Sequence, residues 1–254
     1  MSPLRRDFLP DDLQIETQNA GVSGVVSVQA RQNLGETRAL LGFAAQHEWI
    51  LGVVGWVPLQ SPQISQVLAE FAGQKKLKGV RHVVQDEADD FLENTSFNRG
   101  VAALRDWNLT YDILVFERQL SAAIHFVDAH PQQKFVLDHA GKPQIRGGDF
   151  AHWRALIREI SRRPNVWCKV SGLVTEAFWH DWTPASLEPY FQTVWEFFGP
   201  KRAMWGSDWP VCEVACPYGK WAQTCQDWTA DFSDDERKRF FEQNAREFYG
   251  LSSG

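Results

Sequence analysis

The chain is poor in the features that would tie it to a membrane, a nucleic acid or an oxidising compartment. No stretch supplies the ~20 consecutive apolar residues of a spanning helix. Basic residues are outnumbered, 26 Lys and Arg against 32 Asp and Glu, for a formal charge of −6. That leaves no basic footprint for nucleic acid. Cysteine is scarce: Cys168, Cys212, Cys216 and Cys225. Their C-x3-C-x8-C spacing matches no common zinc pattern, and four free thiols suit a reducing compartment. The opening "MSPLRRDFLPDD" has charges but no apolar core of a secretory signal, so the expected location is cytoplasmic. A glycine-rich phosphate loop is missing after the first apparent strand, where "VQARQNLGE" stands instead.

What is present is aromatic and regularly alternating. Twelve Trp and seventeen Phe in 254 residues provide large core side chains, and some suit a pocket for a ring-shaped ligand. One domain over residues 1–254 is expected. Short apolar runs are expected as strands at Gly24–Ala30, Trp49–Leu59, Leu77–Gln85, Leu109–Phe116, Lys134–Pro143, Asn165–Leu173 and from Arg202 onward. Helical patterns separate them. Ser186 is expected to cap one helix, and Ser233 with Glu236 to form a capping box at the start of the last. Alternation every 25–35 residues, with runs this apolar, predicts an α/β fold, a (β/α)8 TIM barrel. Only seven strands are counted, and a helical segment ending at Gly21 comes first. The expectation is therefore a barrel lacking its first strand, from a chain that starts late.

In such a barrel, chemistry sits at the C-terminal ends of the strands. Side-chain alternation places Phe135, Leu137 and His139 on one face of their run, and Met204, Gly206 and Asp208 on one face of theirs. Both runs are read as ending on their inner face, which aims His139 and Asp208 over one mouth. An alternative for Asp208 is to cap the next helix or pair with an arginine. Arg81 and His82 lie on opposite faces of one strand: one is expected to meet substrate and the other to pair with a carboxylate. Lys169 and Ser171 share a face, and Ser171 lacks the G-x-S-x-G elbow of a nucleophilic serine. Lys142, just past His139, is a candidate for an oxyanion or hydroxyl.

The segments "GVRHVVQDE", "FVLDHAGKP", "CKVSGLVTEA" and "MWGSDWPV", in this order, resemble the amidohydrolase-2 family. They are most similar to its sugar-lactonase branch, the fuconolactonase- and rhamnonolactonase-like hydrolases, along nearly the whole chain. The resemblance implies a (β/α)8 barrel that hydrolyses lactones, esters or amides. It matches His139 to the family's later-strand histidine and Asp208 to its last-strand aspartate. The family's first-strand H-x-H has no counterpart, because no two histidines stand two apart, and "LVFERQL" carries Glu117 and Arg118 where metal-dependent relatives have a histidine. A metal set is thus incomplete: His139 and Asp208 alone are too few for a tight divalent site. The lactonase branch implies no required cofactor, with zinc an option only if an H-x-H strand is supplied. The implied partner is a small sugar lactone, with Asp208 as general base and acid, His139 polarising the carbonyl, and Arg81, His82, Lys142, Ser171 and Trp209 contacting substrate. Decarboxylation of an unsaturated or aromatic acid, or a barrel that only binds a ligand, are the alternatives.

Overall fold

The protein is described by a computed structural model over residues 2–251. Seven strands run β1 (Val25–Val28), β2 (Ile50–Gly55), β3 (Leu77–Val83), β4 (Thr110–Leu114), β5 (Phe135–Leu137), β6 (Val166–Val170) and β7 (Ala203–Trp205). Each pairs in parallel with the next, in sequence order, and the curved sheet stays open between β1 and β7 among the described residues. This is the TIM-like barrel short of one strand that the alternation predicts. No helix of the described residues is long and apolar enough to cross a membrane.

The helices are α1 (Pro10–Asn19), α2 (Leu34–Gln46), α3 (Ile64–Ala69), α4 (Thr95–Ala103), α5 (Leu120–Ala129), α6 (Phe150–Ile160), α7 (Leu173–Glu176), α8 (Pro184–Phe198), α9 (Tyr218–Trp228), α10 (Asp234–Lys238) and α11 (Asn244–Tyr249). Ser233 and Glu236 form the expected capping box. The long last helix is interrupted by a π-helical turn over Arg239–Gln243. Ser186 is not a cap: Pro184 begins α8, Thr183 caps it, and Ser186 reciprocates from the third position. Helix α9 was not expected from sequence, because Pro217 and Gly219 give its start the look of a loop. Yet its buried residues Tyr218, Trp221, Ala222, Cys225 and Trp228 fall at helical spacing.

Two cores result. The large one lies between sheet and helices and takes Val53, Val80, Ile113, Phe135, Leu137, Val166 and Cys168 from the strands. The inner face carries only a small apolar cluster of Val54, Val136 and Met204 with Phe248 and Tyr249 of α11, which close the foot of the barrel. Beside this cluster the inner face carries ions. Lys169 Nζ sits 2.6 Å from Asp112 Oδ2 and 2.7 Å from Asp138 Oδ1. Arg81 Nη1 donates to Asp138 Oδ2 at 2.9 Å, and the Tyr249 hydroxyl donates to Asp112 Oδ2 at 2.6 Å. Asp112 and Asp138 are essentially inaccessible to solvent. Burial by itself would raise the pKa of Asp138, but the Lys169 and Arg81 cations outweigh it and hold the carboxyl below its usual range. Burial likewise disfavours the Lys169 ammonium, and Asp112 and Asp138 overcome it, so its pKa rises. Asp138 and Lys169 are therefore charged in the folded protein, whereas burial pushes the Asp112 carboxyl up against the pull of Lys169.

Removing one partner of such a network strands the others without compensation. Lys169→Met is expected to cost about 3–5 kcal/mol, read as a lower urea midpoint. A loss under about 1 kcal/mol, the scale of a surface pair, would show that the carboxylates are satisfied without it.

Candidate active site

The strand ends bring together residues that lie far apart in sequence. Strand β5 stops after three residues because the backbone turns left-handed: φ is 53° at His139, 51° at Ala140, 68° at Gly141 and 46° at Lys142. This turn corrects the alternation argument. Phe135 and Leu137 face the helices, while Val136 and Asp138 face inward. His139 reaches the mouth through the turn, not by strand parity. Strand β7 also ends early, at Trp205: Met204 faces inward as expected, and Asp208 stands three residues past the strand in a left-handed conformation of its own at φ 56°.

His139 Nε2 lies 3.6 Å from Asp208 Oδ1. On the other side of the ring, Nδ1 meets Ser171 Oγ at 2.8 Å. A Cβ on Gly172 would strike the His139 ring at 2.8 Å, so the glycine lets the next loop press against it. The His139 and Asp208 side chains are only 11% and 13% exposed. Burial moves both toward neutrality. It pushes the His139 pKa down to about 3, with Lys142 adding to the effect against the pull of Asp138. It pushes Asp208 up to about 7, against the Lys142 and Arg81 cations. Near neutral pH the imidazole is thus uncharged, and the carboxyl is poised to gain or lose a proton.

The other sequence candidates separate. Lys142 stands at the mouth, with Nζ 3.3 Å from Glu176 Oε1. Arg81 faces inward and is bound to Asp138 and to the main-chain oxygen of Gln29. His82 is a correction: it lies on the helix-facing side, stacked on Phe91 at 4.9 Å, bonded to Glu87 at 2.8 Å, and not with the rest. The expectation that one of Arg81 and His82 pairs with a carboxylate understates the outcome, since both do. Ser171 is also relocated. It is buried, and its hydroxyl contacts the His139 ring, so it orients that ring and does not line the opening. Trp209 is half-buried, with its indole N–H on Glu213 at 2.7 Å and its ring edge-on to Phe8. Sequence reading passed over Asp138, Asp112 and Glu176. A carboxylate inside the apolar run "LTYDILVF" and a lysine inside "NVWCKVSGL" signal a buried pair, because neither is stable alone there. A cavity of about 350 Å³ also opens at the foot, by Lys75, Lys78, Trp107 and Gly250, and contains none of these candidates.

An α/β barrel with a histidine and an aspartate meeting at its strand ends is the framework of a barrel hydrolase. The amidohydrolase family model matches residues 2–251. An L-fucono-1,5-lactonase of Burkholderia multivorans is 41% identical over 99% of this chain and 88% of its own length. A second, from Burkholderia ambifaria, is 37% identical with the same coverage. The crystal structure of a Burkholderia multivorans amidohydrolase with bound zinc superposes with a TM-score of 0.95, at 40% identity, over 99% of this chain and 92% of that one. The chain belongs to the amidohydrolase family.

The residues at this mouth do not make up a zinc site. Asp138 is occupied by Arg81 and Lys169, and Glu176 by Lys142. His139 and Asp208 remain, and no group of three or more His, Cys, Asp or Glu suited to a metal occurs among the described residues. Two donors do not complete a zinc site.

The raised Asp208 pKa has a stability consequence. The folded protein holds this proton more tightly than the unfolded chain. The resulting stability is whole below the unfolded carboxyl's ordinary value near 3.8 and is lost as pH rises through about 7. Asn mimics the protonated form and tolerates the left-handed backbone. Asp208→Asn is expected to raise Tm by several degrees at pH 8, reflecting about 2–4 kcal/mol. The advantage should widen between pH 4 and 7 and then level off. An equal Tm across that range would show that the carboxylate is not penalised by burial.

Proposed function

We propose that the protein opens a sugar-acid lactone by adding water to the ring carbonyl, with Asp208 moving the proton. The observation that carries this is the buried pairing of an uncharged His139 with a carboxyl poised near pH 7, 3.6 Å apart. Ionised Asp208 takes a proton from water as the water oxygen adds to the carbonyl. The carbonyl π electrons move onto the oxygen, and the tetrahedral oxyanion forms. With Ser171 Oγ–H donating to Nδ1, the His139 proton sits on Nε2 and is free to donate to that oxyanion. The intermediate collapses, the bond to the ring oxygen breaks, and Asp208 returns its proton to the leaving oxygen. The product is an open hydroxy acid. A group near pH 7 suits both transfers, since neither protonation state is costly to reach. Arg81 and Lys142 supply positive field beside the developing oxyanion. The substrate class follows the lactonases that the chain resembles over its length.

Aldonolactones should be opened faster than their spontaneous hydrolysis, read as acid release with a pH indicator. L-fucono-1,5-lactone is the first substrate to try; no acceleration with any 1,4- or 1,5-aldonolactone would sink the reading. Asp208→Asn should lower kcat/KM by about 10²–10⁴-fold while the protein remains folded. In the parent, kcat/KM should fall as pH drops below about 7, because protonated Asp208 cannot accept a proton from water. A flat profile from pH 5 to 8 would move the base elsewhere.

A further inference from the structure

A second carboxylate stands at the mouth with no role in the proton transfers. Glu176 ends α7, in the loop after β6, and its side chain is 20% exposed. Its place is fixed from two directions by the loop after β5. Lys142, 16% exposed, grips the Glu176 carboxylate at 3.3 Å. Arg146, four residues further on, holds the backbone on both sides of Glu176: Nε donates to the Ala177 carbonyl at 2.7 Å and Nη2 to the Thr175 carbonyl at 2.9 Å. The Arg146 guanidinium also lies over the Trp179 ring, 5.2 Å from its centroid. Thr175 Oγ1 closes the turn onto the Gly172 carbonyl at 2.7 Å. Both members of the pair are near enough to Asp208 to act on its carboxyl, Lys142 lowering its pKa and Glu176 raising it. The pair is therefore a rigid, partly open donor–acceptor set beside the proposed base.

We propose that Glu176 and Lys142 form a clamp for two adjacent hydroxyls of the substrate, and that Glu176 is a specificity-determining residue for polyhydroxylated lactones. The proposal rests on the lactonase reading above. The chemistry is complementary. A carboxylate accepts hydrogen bonds from hydroxyl groups, an ammonium donates to hydroxyl oxygens, and a vicinal diol presents both functions at neighbouring positions. A pair already held in one geometry loses little freedom on binding. A simple lactone without hydroxyls gains nothing from it. A purely structural pair, by contrast, would treat both kinds of lactone alike.

The test compares L-fucono-1,5-lactone with δ-valerolactone, which has the same ring and no hydroxyls, in the parent and in Glu176→Gln. The ratio of kcat/KM for the two substrates is expected to fall about 10- to 100-fold in the variant, the scale of a hydrogen bond to a charged group. The change should lie chiefly in the KM of the hydroxylated lactone. A ratio within twofold of the parent's, with both rates lowered equally or neither lowered, would overturn the clamp. If the parent opens neither lactone, the lactonase reading fails, and calorimetry decides the clamp separately. L-fuconate should then bind the parent more tightly than 5-hydroxypentanoate does, and that preference should fall at least tenfold in the variant. Equal preference in the two proteins, or no binding to the parent, would overturn it.

Discussion

The Lys169 ammonium, held between Asp112 and Asp138 on the inside of the sheet, is the interaction on which the arrangement of the mouth depends. Barrels of this kind usually fill their interior with layers of branched apolar side chains. Here the apolar inner cluster is small and the centre is charged. Lys169 joins β6 to β4 through Asp112 and to the end of β5 through Asp138. Arg81 adds β3, and Tyr249 adds the helix that closes the foot. Such a network gives little net stability compared with apolar packing, because each ion loses its hydration. Its consequence is geometric. Ion pairs at 2.6–2.9 Å fix where β5 ends, and the residue after Asp138 is His139.

The mouth lies one step above this network and obeys the opposite rule. Asp138 has two cations against it and stays ionised well below its usual range. Asp208 is nearly as enclosed, but its cations act from further away, and burial wins. The same burial removes the charge from His139. Asp138 and Asp208 thus diverge: two cations at contact distance keep Asp138 charged and structural, while Asp208 has none that close, stays near neutral and is able to exchange a proton. Asp112, with Lys169 as its one cation, is still pushed up by burial. A catalytic carboxyl in this setting weakens the fold when it ionises, a trade common at active sites.

The fold was legible in the sequence because it depends on alternation, capping and turn chemistry, all local. Seven strands, their order and the Ser233–Glu236 box follow from such signals. His139 and Asp208 stand side by side at the mouth, but for His139 the strand-parity argument failed. Parity holds only while the backbone remains extended, and four consecutive left-handed residues after Asp138 end it. His82 was misplaced for a related reason: a histidine in a strand has no sequence mark of which face is inward. Here Val80 and His82 share the helix-facing side, and Arg81 the other. The Asp112–Lys169 pair shows the limit best. Each residue alone signals a buried charge, but they are 57 positions apart, and only the sheet order makes them partners.

The charges around the mouth also explain why so few groups remain to act. Asp138 is committed to Arg81 and Lys169, Glu176 to Lys142, and Glu117 accepts from the Gln144 backbone. Each of these carboxylates holds a loop or a cation in place, so none is available as a proton acceptor. Asp208 lacks both a cation at contact distance and a backbone donor of this kind; its neighbour is the His139 ring, 3.6 Å away. A group in that position ionises with difficulty, and an ion formed with difficulty is a strong base toward water. The property that marks Asp208 as the proton acceptor is therefore set by how its neighbours pair with each other, and breaking the Arg81–Asp138 or Lys142–Glu176 pair would free a cation toward it. A freed Lys142 or Arg81 would pull the Asp208 pKa back toward the ordinary carboxylate range and weaken it as a base, even with its own side chain untouched.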